Sequence, residues 1–250
     1  MKVRFWGTRG SLAVAQKAAT VRDKIATALV AAKGRSFADV AEARAFAEAE
    51  LDFATFGTYG GATSCVEIEA GGADDAFIVC DLGSGLREFG LDAMGRCAGG
   101  HARVYHVFLS HLHWDHICGF PFFVPVFDPT AEVVIHSGHA DAETALRRQQ
   151  EDISFPVAFD WLRAKISFRT LEVGKPHTIG AVTVEVIEQH HSHLSYGYKF
   201  TDRPESRWFT APTANTRSRK WTPKPRSSGS SPTAIWSSAT RCIRWRTAFR

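Results

Sequence analysis

The sequence is poor in the features that mark membrane-spanning or disulfide-stapled proteins. No run of about eighteen apolar residues occurs in its 250 residues, so no transmembrane helix is expected. The opening Met1-Lys2-Val3-Arg4-Phe5-Trp6 alternates like an amphipathic strand with no signal-peptide core behind it, which predicts a soluble cytoplasmic protein without a membrane partner. Cysteine is sparse: Cys65, Cys80, Cys97, Cys118 and Cys242 are odd in number, widely scattered and free of any Cys-x-x-Cys pair. That excludes a disulfide framework and a thiolate zinc knuckle, and predicts reduced, mostly buried thiols. After Asp202 there is neither Asp nor His, and Glu205 is the sole acidic residue of the last 48.

What is present is enough for one large globular domain, since 44% of the residues are hydrophobic. The net charge of +4 conceals an asymmetry: eleven of the 30 Lys/Arg lie in 203–250, which leaves residues 1–202 at −6 and that tail at +10. Residues 12–53 are alanine-rich with apolar residues at helical spacing. They predict two helices broken near Gly34-Arg35-Ser36, the first striped by Val21, Ile25, Ala28 and Leu29 and the second starting at Ser36. From Ser64 onward short β-rich runs follow, at 65–68, 77–82, 104–109, 133–136, 166–171, 182–187 and 196–200, with helical candidates at 84–97 and 140–150. Strands first, with helices interspersed and packed outside, predict a layered α/β sandwich.

Chemistry concentrates in Ser110-His111-Leu112-His113-Trp114-Asp115-His116, directly after an apolar strand and hence at the start of a loop. His111 and His113 can present neutral imidazoles to one cation, and Asp115 and His116 can turn toward a second. A polar surface turn would account for the same string only by coincidence, since four ligand-type residues fall within six positions. His101, His106, His136, His139 and His177 have no ligand spacing and read as packing or surface residues.

His-x-His-x-Asp-His after a buried strand resembles the signature of the metallo-β-lactamase superfamily. Phe5-Trp6-Gly7-Thr8-Arg9-Gly10-Ser11, Gly60-Gly61-Ala62-Thr63-Ser64-Cys65, Cys80-Asp81-Leu82-Gly83-Ser84-Gly85-Leu86-Arg87 and Ser195-Tyr196-Gly197-Tyr198 are similar to its phosphodiesterase-like branch, which includes ribonuclease Z and cyclic-phosphate hydrolases. Ala62 stands where that branch often has asparagine. The resemblance implies an α/β fold, a metallo-β-lactamase-type αββα sandwich over 1–202, incomplete at its C-terminal end and carrying 12–53 as a helical insertion. Such a stretch could be a lid or a homodimer contact, but an amphipathic pair packed on the domain edge is its commoner outcome. The resemblance places the next metal-binding histidine about six residues before Gly197, at His191, with His190 and His193 as rivals. His111, His113 and His191 would then hold one Zn2+, while Asp115 and His116 would reach a second and take part in catalysis; Mn2+ or Fe2+ could replace zinc. Such a cation lowers the pKa of its water toward about 7 and polarises the scissile oxygen. Asp81 could orient the metal loop by hydrogen bonds or simply cap a turn.

The implied activity is metal-dependent hydrolysis of a small-molecule phosphodiester such as a cyclic nucleotide. Within the same chemistry, a β-lactamase or thioesterase is the competitor, although zinc β-lactamases commonly use cysteine in the second site. A full dinuclear site of the family also needs a bridging aspartate and a final histidine, which 203–250 cannot supply. That tail combines eight serines, seven threonines and five prolines with four of the seven tryptophans, a mixture expected of an out-of-frame, disordered translation. Shifted by one base, 208–222 can be read as a family-like string with Thr-Asp opposite Pro212 and Thr213. The expectation is an impaired hydrolase. A non-catalytic reading gives the basic tail a nucleic-acid partner instead.

Overall fold

The computed structural model describes residues 1–70, 76–180, 182–191 and 194–202, with the segments 208–211, 233–235 and 244–246; of residue 202 and these three segments only the backbone is described. The chain divides into two units, Met1–Ala13 with Ala62–Arg250, and Val14–Gly61.

In the larger unit, β1 (Lys2–Gly7), β2 (Cys65–Glu69), β3 (Phe77–Cys80), β4 (Val104–Leu109), β5 (Glu132–Ser137) and β6 (Lys165–Thr170) form one six-stranded sheet in sequence order. The first three strands pair antiparallel and β3 to β6 pair parallel. A second sheet runs β7 (Pro176–Ile179), β8 (Val182–His190), β9 (Leu194–Asp202), β10 (Trp208–Ala211), β11 (Thr233–Ile235) and β12 (Arg244–Arg246). β10 pairs antiparallel with β9. The rest of 203–250, with the reading of it as an out-of-frame tail, lies outside the described residues, as does Cys242.

Period-2 alternation divides β3 and β4 between two cores. Phe77, Val79, Tyr105, Val107 and Leu109 join Leu86, Phe89, Phe120 and Phe123 on the helical side, while Ile78, Cys80 and Phe108 meet Val184, Val186, Tyr198 and Phe200 of the second sheet. Parallel strands buried on both faces read as nearly continuous apolar runs, as β4 does. Each such aromatic or aliphatic side chain contributes about 1.5–3 kcal/mol by leaving water, an upper figure because unfolded chains already bury some surface. α4 (Leu86–Ala98) covers the helical side with Leu86, Phe89, Gly90, Ala93 and Cys97 buried. α5 (Trp114–Ile117) and α6 (Ala142–Arg148) follow in the chain, and no helix comes after β9 among the described residues. The layered α/β expectation holds.

Several details differ from the sequence reading. The helix anticipated over 140–150 is the shorter α6. β7 was not foreseen: it opens with proline, is an edge strand and buries only Ile179, so it shows no alternation to detect.

The Val14–Gly61 unit consists of α1 (Ala18–Ala31), α2 (Val40–Glu50) and α3 (Phe53–Phe56). The break near 34–36 is present, with Gly34 at φ +80°, but Asp39 rather than Ser36 starts α2. Its side chain accepts from the Glu42 amide at 2.8 Å, and the Glu42 carboxylate accepts from the Ala38 amide at 2.7 Å. The α1 stripe is not a buried face, since Ile25 and Leu29 are 54% and 69% exposed.

Candidate metal centre

The candidate ligands sit at the carboxyl ends of parallel strands, where open α/β sheets gather their ligands. β3 and β4 pair Cys80 with Phe108, so Asp81 emerges beside Leu109 and Ser110. Asp81 has φ +64°, a left-handed conformation that aspartate tolerates better than most residues. The conformation is held by backbone bonds that stitch the Asp81 turn to the histidine loop: Asp81 N–H to Phe108 O (3.0 Å), Leu82 N–H to His116 O (2.8 Å) and Gly119 N–H to Leu82 O (2.8 Å). The approach is too close for side chains, as a Cβ on Gly119 would lie 2.0 Å from the Gly83 carbonyl oxygen.

Asp81 is buried and fully engaged. Its Oδ1 accepts from the Ser110 amide (2.9 Å) and hydroxyl (2.6 Å), and its Oδ2 accepts from Ser64 Oγ (3.0 Å) and lies 2.8 Å from His116 Nδ1. Burial works to raise the Asp81 pKa, yet the charge and hydrogen bond of His116 and the Ser110 donors hold it below the usual carboxylate range. With Nδ1 donating to Asp81, His116 turns Nε2 toward Asp115 Oδ2 at 3.3 Å. Asp115 Oδ2 in turn accepts the Ser11 amide at 2.7 Å. Ser11 itself sits at φ +61°.

Two groups of donor atoms result, each within 4.8 Å of one another: His111, His113 and His191, and His111, Asp115 and His116. Imidazole centroids lie 4.6 Å apart for His111 and His113, 4.8 Å for His111 and His191, and 4.0 Å for His111 and His116. Burial pushes the His111 pKa down to about 3, with the charge of His116 adding to it, so that ring is a neutral donor. His116 behaves oppositely: burial opposes its charge, but Asp81 and Asp115 raise it to about 9. Asp115 is also pulled both ways, and its His116 and Ser11 bonds overcome burial to hold it low. A basic imidazole between two carboxylates marks a place where positive charge is stabilised, and the neutral His111 ring supplies a lone pair. Together they fit a divalent cation accepting nitrogen and oxygen ligands.

Residues 78–220, more than half of the chain, match the family model of the β-lactamase superfamily domain. The chain belongs to that family. This superfamily member is 30% identical over 107 residues to the ribonuclease Z of Phocaeicola vulgatus, a match covering 40% of the chain and 33% of the relative. The chain thus spans about a third of the curated relative it matches. Among solved structures it is similar to the metallo-β-lactamase fold protein YhfI of Bacillus subtilis (19% identity, 60% of this chain, 54% of the other, TM-score 0.42). It is similar to unliganded yeast PDE1 (15%, 65% and 63%, TM-score 0.47) and to the short form of human tRNase Z (13%, 84% and 68%, TM-score 0.44).

Within this superfamily member, every metal-ligand candidate from the sequence falls in one of the two donor groups, and Asp81 lies directly behind them. Of the rivals to His191, His190 ends β8 and is in neither donor group, and His193 lies outside the described residues. Of the other histidines, His101 stacks on Phe77 at 4.0 Å, buried His136 stacks on Phe108 at 4.8 Å while its Nε2 meets His106 Nδ1 at 3.1 Å, and His139, in neither donor group, lies against Tyr196 and the Ser110 backbone. Sequence reasoning gave no role to Ser110, Ser64 or the Ser11 amide, although each lies in a quoted motif. A backbone donor leaves no trace in residue identity, and a serine's hydroxyl acquires its partner only when the strands align. Cys65, Cys80 and Cys97 are buried free thiols, and Cys118 is half-buried. No described helix is long and apolar enough to cross a membrane.

Proposed function

We propose that the chain is a metal-dependent hydrolase of phosphodiesters. The observation that carries this reading is the convergence of His111, His113 and His191 on one point and of His111, Asp115 and His116 on another, behind a buried Asp81 that fixes the His116 ring. In this reading His111, His113 and His191 hold one Zn2+, and Asp115 and His116 face a second cation. A bound divalent cation supplies a nucleophile at neutral pH and polarises the scissile oxygen. The chain's own residues do the rest. Asp81 fixes which nitrogen of His116 carries the proton and leaves Nε2 to face the site. Asp115, held ionised by its neighbours and oriented by the Ser11 amide, can accept a hydrogen bond from attacking water.

Support for phosphodiesters over β-lactams or thioesters comes from the likeness of the Gly7-Thr8-Arg9-Gly10-Ser11 turn to the phosphodiesterase-like branch. The basic segment 203–250 adds no Asp or His, and we infer that it leaves the second group weakly liganded, as a one-base shift in the reading frame would.

The test is elemental analysis of the purified chain and of a version restored to the alternative frame, alongside turnover of bis(p-nitrophenyl) phosphate, a chromogenic cephalosporin and a thioester. About one metal and slow phosphodiester turnover in the chain, against two metals and fast turnover in the restored version, is the expected result. Turnover of the cephalosporin alone would overturn the phosphodiester reading. Two tightly held metals in the unaltered chain would overturn the account of the second group.

A further inference from the structure

The two carboxylates that bracket His116 are each reached from one end of the same insertion. Where the chain runs toward Val14–Gly61, the Ser11 amide donates to Asp115 Oδ2 at 2.7 Å. Where it returns, Ser64 Oγ donates to Asp81 Oδ2 at 3.0 Å. The returning side is pinned to the Asp81 turn. The Thr63 amide donates to Ser84 Oγ at 2.9 Å, the Ser84 amide donates to Thr63 Oγ1 at 2.7 Å, and the Gly83 amide donates to Ser64 O at 2.8 Å.

The entering side is held differently. Ser11 is exposed, and its φ of +61° costs a non-glycine residue conformational energy, so it persists only where the surroundings impose it. Those surroundings are a short ladder of backbone bonds. The Thr8 and Arg9 amides both donate to Ala62 O at 3.0 Å, the Leu12 amide donates to Gly10 O at 2.7 Å, and the Val14 amide donates to Gly61 O at 2.8 Å. The last bond closes the mouth of the smaller unit so tightly that a Cβ on Gly61 would lie 1.9 Å from the Val14 carbonyl oxygen. Only Leu12 and Ala13 separate this closure from Ser11. Asp115 Oδ2, the atom that Ser11 holds, is also the one beside His116 Nε2 at 3.3 Å.

We propose that the Ser11 turn is a latch through which the Val14–Gly61 unit controls the Asp115–His116 group: closure of the mouth sets the Ser11 amide, and the amide sets the Asp115 carboxylate. Ser11 is a positioning residue that acts through its backbone, not its hydroxyl. The consequence for a cation rests on the metal-dependent reading, while the latch itself exists without one. Partners that orient a metal ligand are worth about 10–100-fold in metal affinity.

Amide hydrogen exchange of the metal-free full chain reads the latch directly. The Ser11 and Val14 amides should show protection factors equal within about threefold, as groups released by one local opening do. Gly61→Ala, which forces the mouth open, should strip both while the Thr63 and Ser84 amides stay protected. Zinc titrated into the same samples by calorimetry reads the consequence. Gly61→Ala and Ser11→Pro, which removes the donor, should weaken the second zinc step by about tenfold or more and keep the first. Ser11→Ala, which retains the amide, should keep both steps.

A Ser11 amide that stays protected where the Val14 amide is not, or a second zinc step that Ser11→Pro leaves at parental strength, overturns the proposal. The comparison of the two amides within the parent decides even if a variant fails to fold. Failure of the hydrolase reading looks different: the two amides would still open together, but the parent would turn over no phosphodiester at any zinc loading. A parent with a single zinc step would remove the second cation from that reading, and the latch would then stand or fall on exchange alone.

Discussion

The two units of the chain use helices in opposite ways. α4 buries five residues against the strands, Leu86, Phe89, Gly90, Ala93 and Cys97, whereas α1, α2 and α3 of Val14–Gly61 bury none. The larger unit encloses its candidate ligands in backbone bonds, buried carboxylate and close glycine contacts; the smaller rests on local devices such as the Asp39 and Asp52 caps, the latter accepting from the Thr55 amide at 2.7 Å. A helix is stabilised mostly by the face it buries, so alanine-rich pattern alone says little about how a segment is anchored. Chemistry is found where packing leaves no freedom.

The sharpest way to break this contrast is to disturb the stitched turn. Gly119→Ala forces a methyl group against the Gly83 carbonyl, and a loss above about 4 kcal/mol, or failure to fold, is expected in chemical denaturation. Asp81→Ala should cost about 3–5 kcal/mol, because it leaves the Ser64 and Ser110 donors and a buried imidazole without their acceptor. Zinc content should fall in the same variant, since His116 loses the partner that sets its tautomer.

A pH series separates the imidazoles. His116 has its pKa raised to about 9, so in the cation-free chain its stabilising contribution is complete below about pH 6.5 and disappears as pH rises through 9. Because a cation must displace that proton, zinc affinity measured between pH 6 and 8 should rise about tenfold per unit, and Asp81→Asn should flatten the slope. His136 has the opposite sign. Burial lowers its pKa to about 3, aided by His106, so the folded state loses ground as pH falls from about 6.5 toward 3. His136→Phe should make the acid limb of the stability profile shallower. At the small end, Ile25→Ala and Leu29→Ala on exposed α1 should each change stability by no more than about 0.5 kcal/mol; a loss of 2 kcal/mol or more would show that this face is covered in solution.

The difference between the units also explains what could be read in the sequence. β4 was located residue for residue because a strand buried on both faces is an apolar run with sharp ends, and the loop after it declared itself through four ligand-type side chains. The α1 stripe had the same kind of signal, helical spacing of apolar residues, but spacing specifies which residues share a face and not whether anything covers it. Ser36 lost to Asp39 as the start of α2 because a carboxylate three residues before Glu42 completes reciprocal bonds with the backbone. Asp81 was visible as a turn residue, yet its four contacts depend on three separate segments meeting. Long-range convergence of that kind is written in the pairing of strands rather than in any local string.

Tyr198 donates its hydroxyl to the Leu109 carbonyl at 2.7 Å, and the Tyr196 amide donates to Ser110 O at 2.8 Å, bonds between residues nearly ninety positions apart. They bring His191, at the end of β8 in the second sheet, to His111 and His113 at the end of β4 in the first. A cation gripped by all three would act as a rivet between the two sheets, so capture of metal and docking of the sheets become one event. At a hundred times its dissociation constant such a rivet adds about 2.7 kcal/mol to the folded state. The melting temperature of this protein would then report how much metal its surroundings contain.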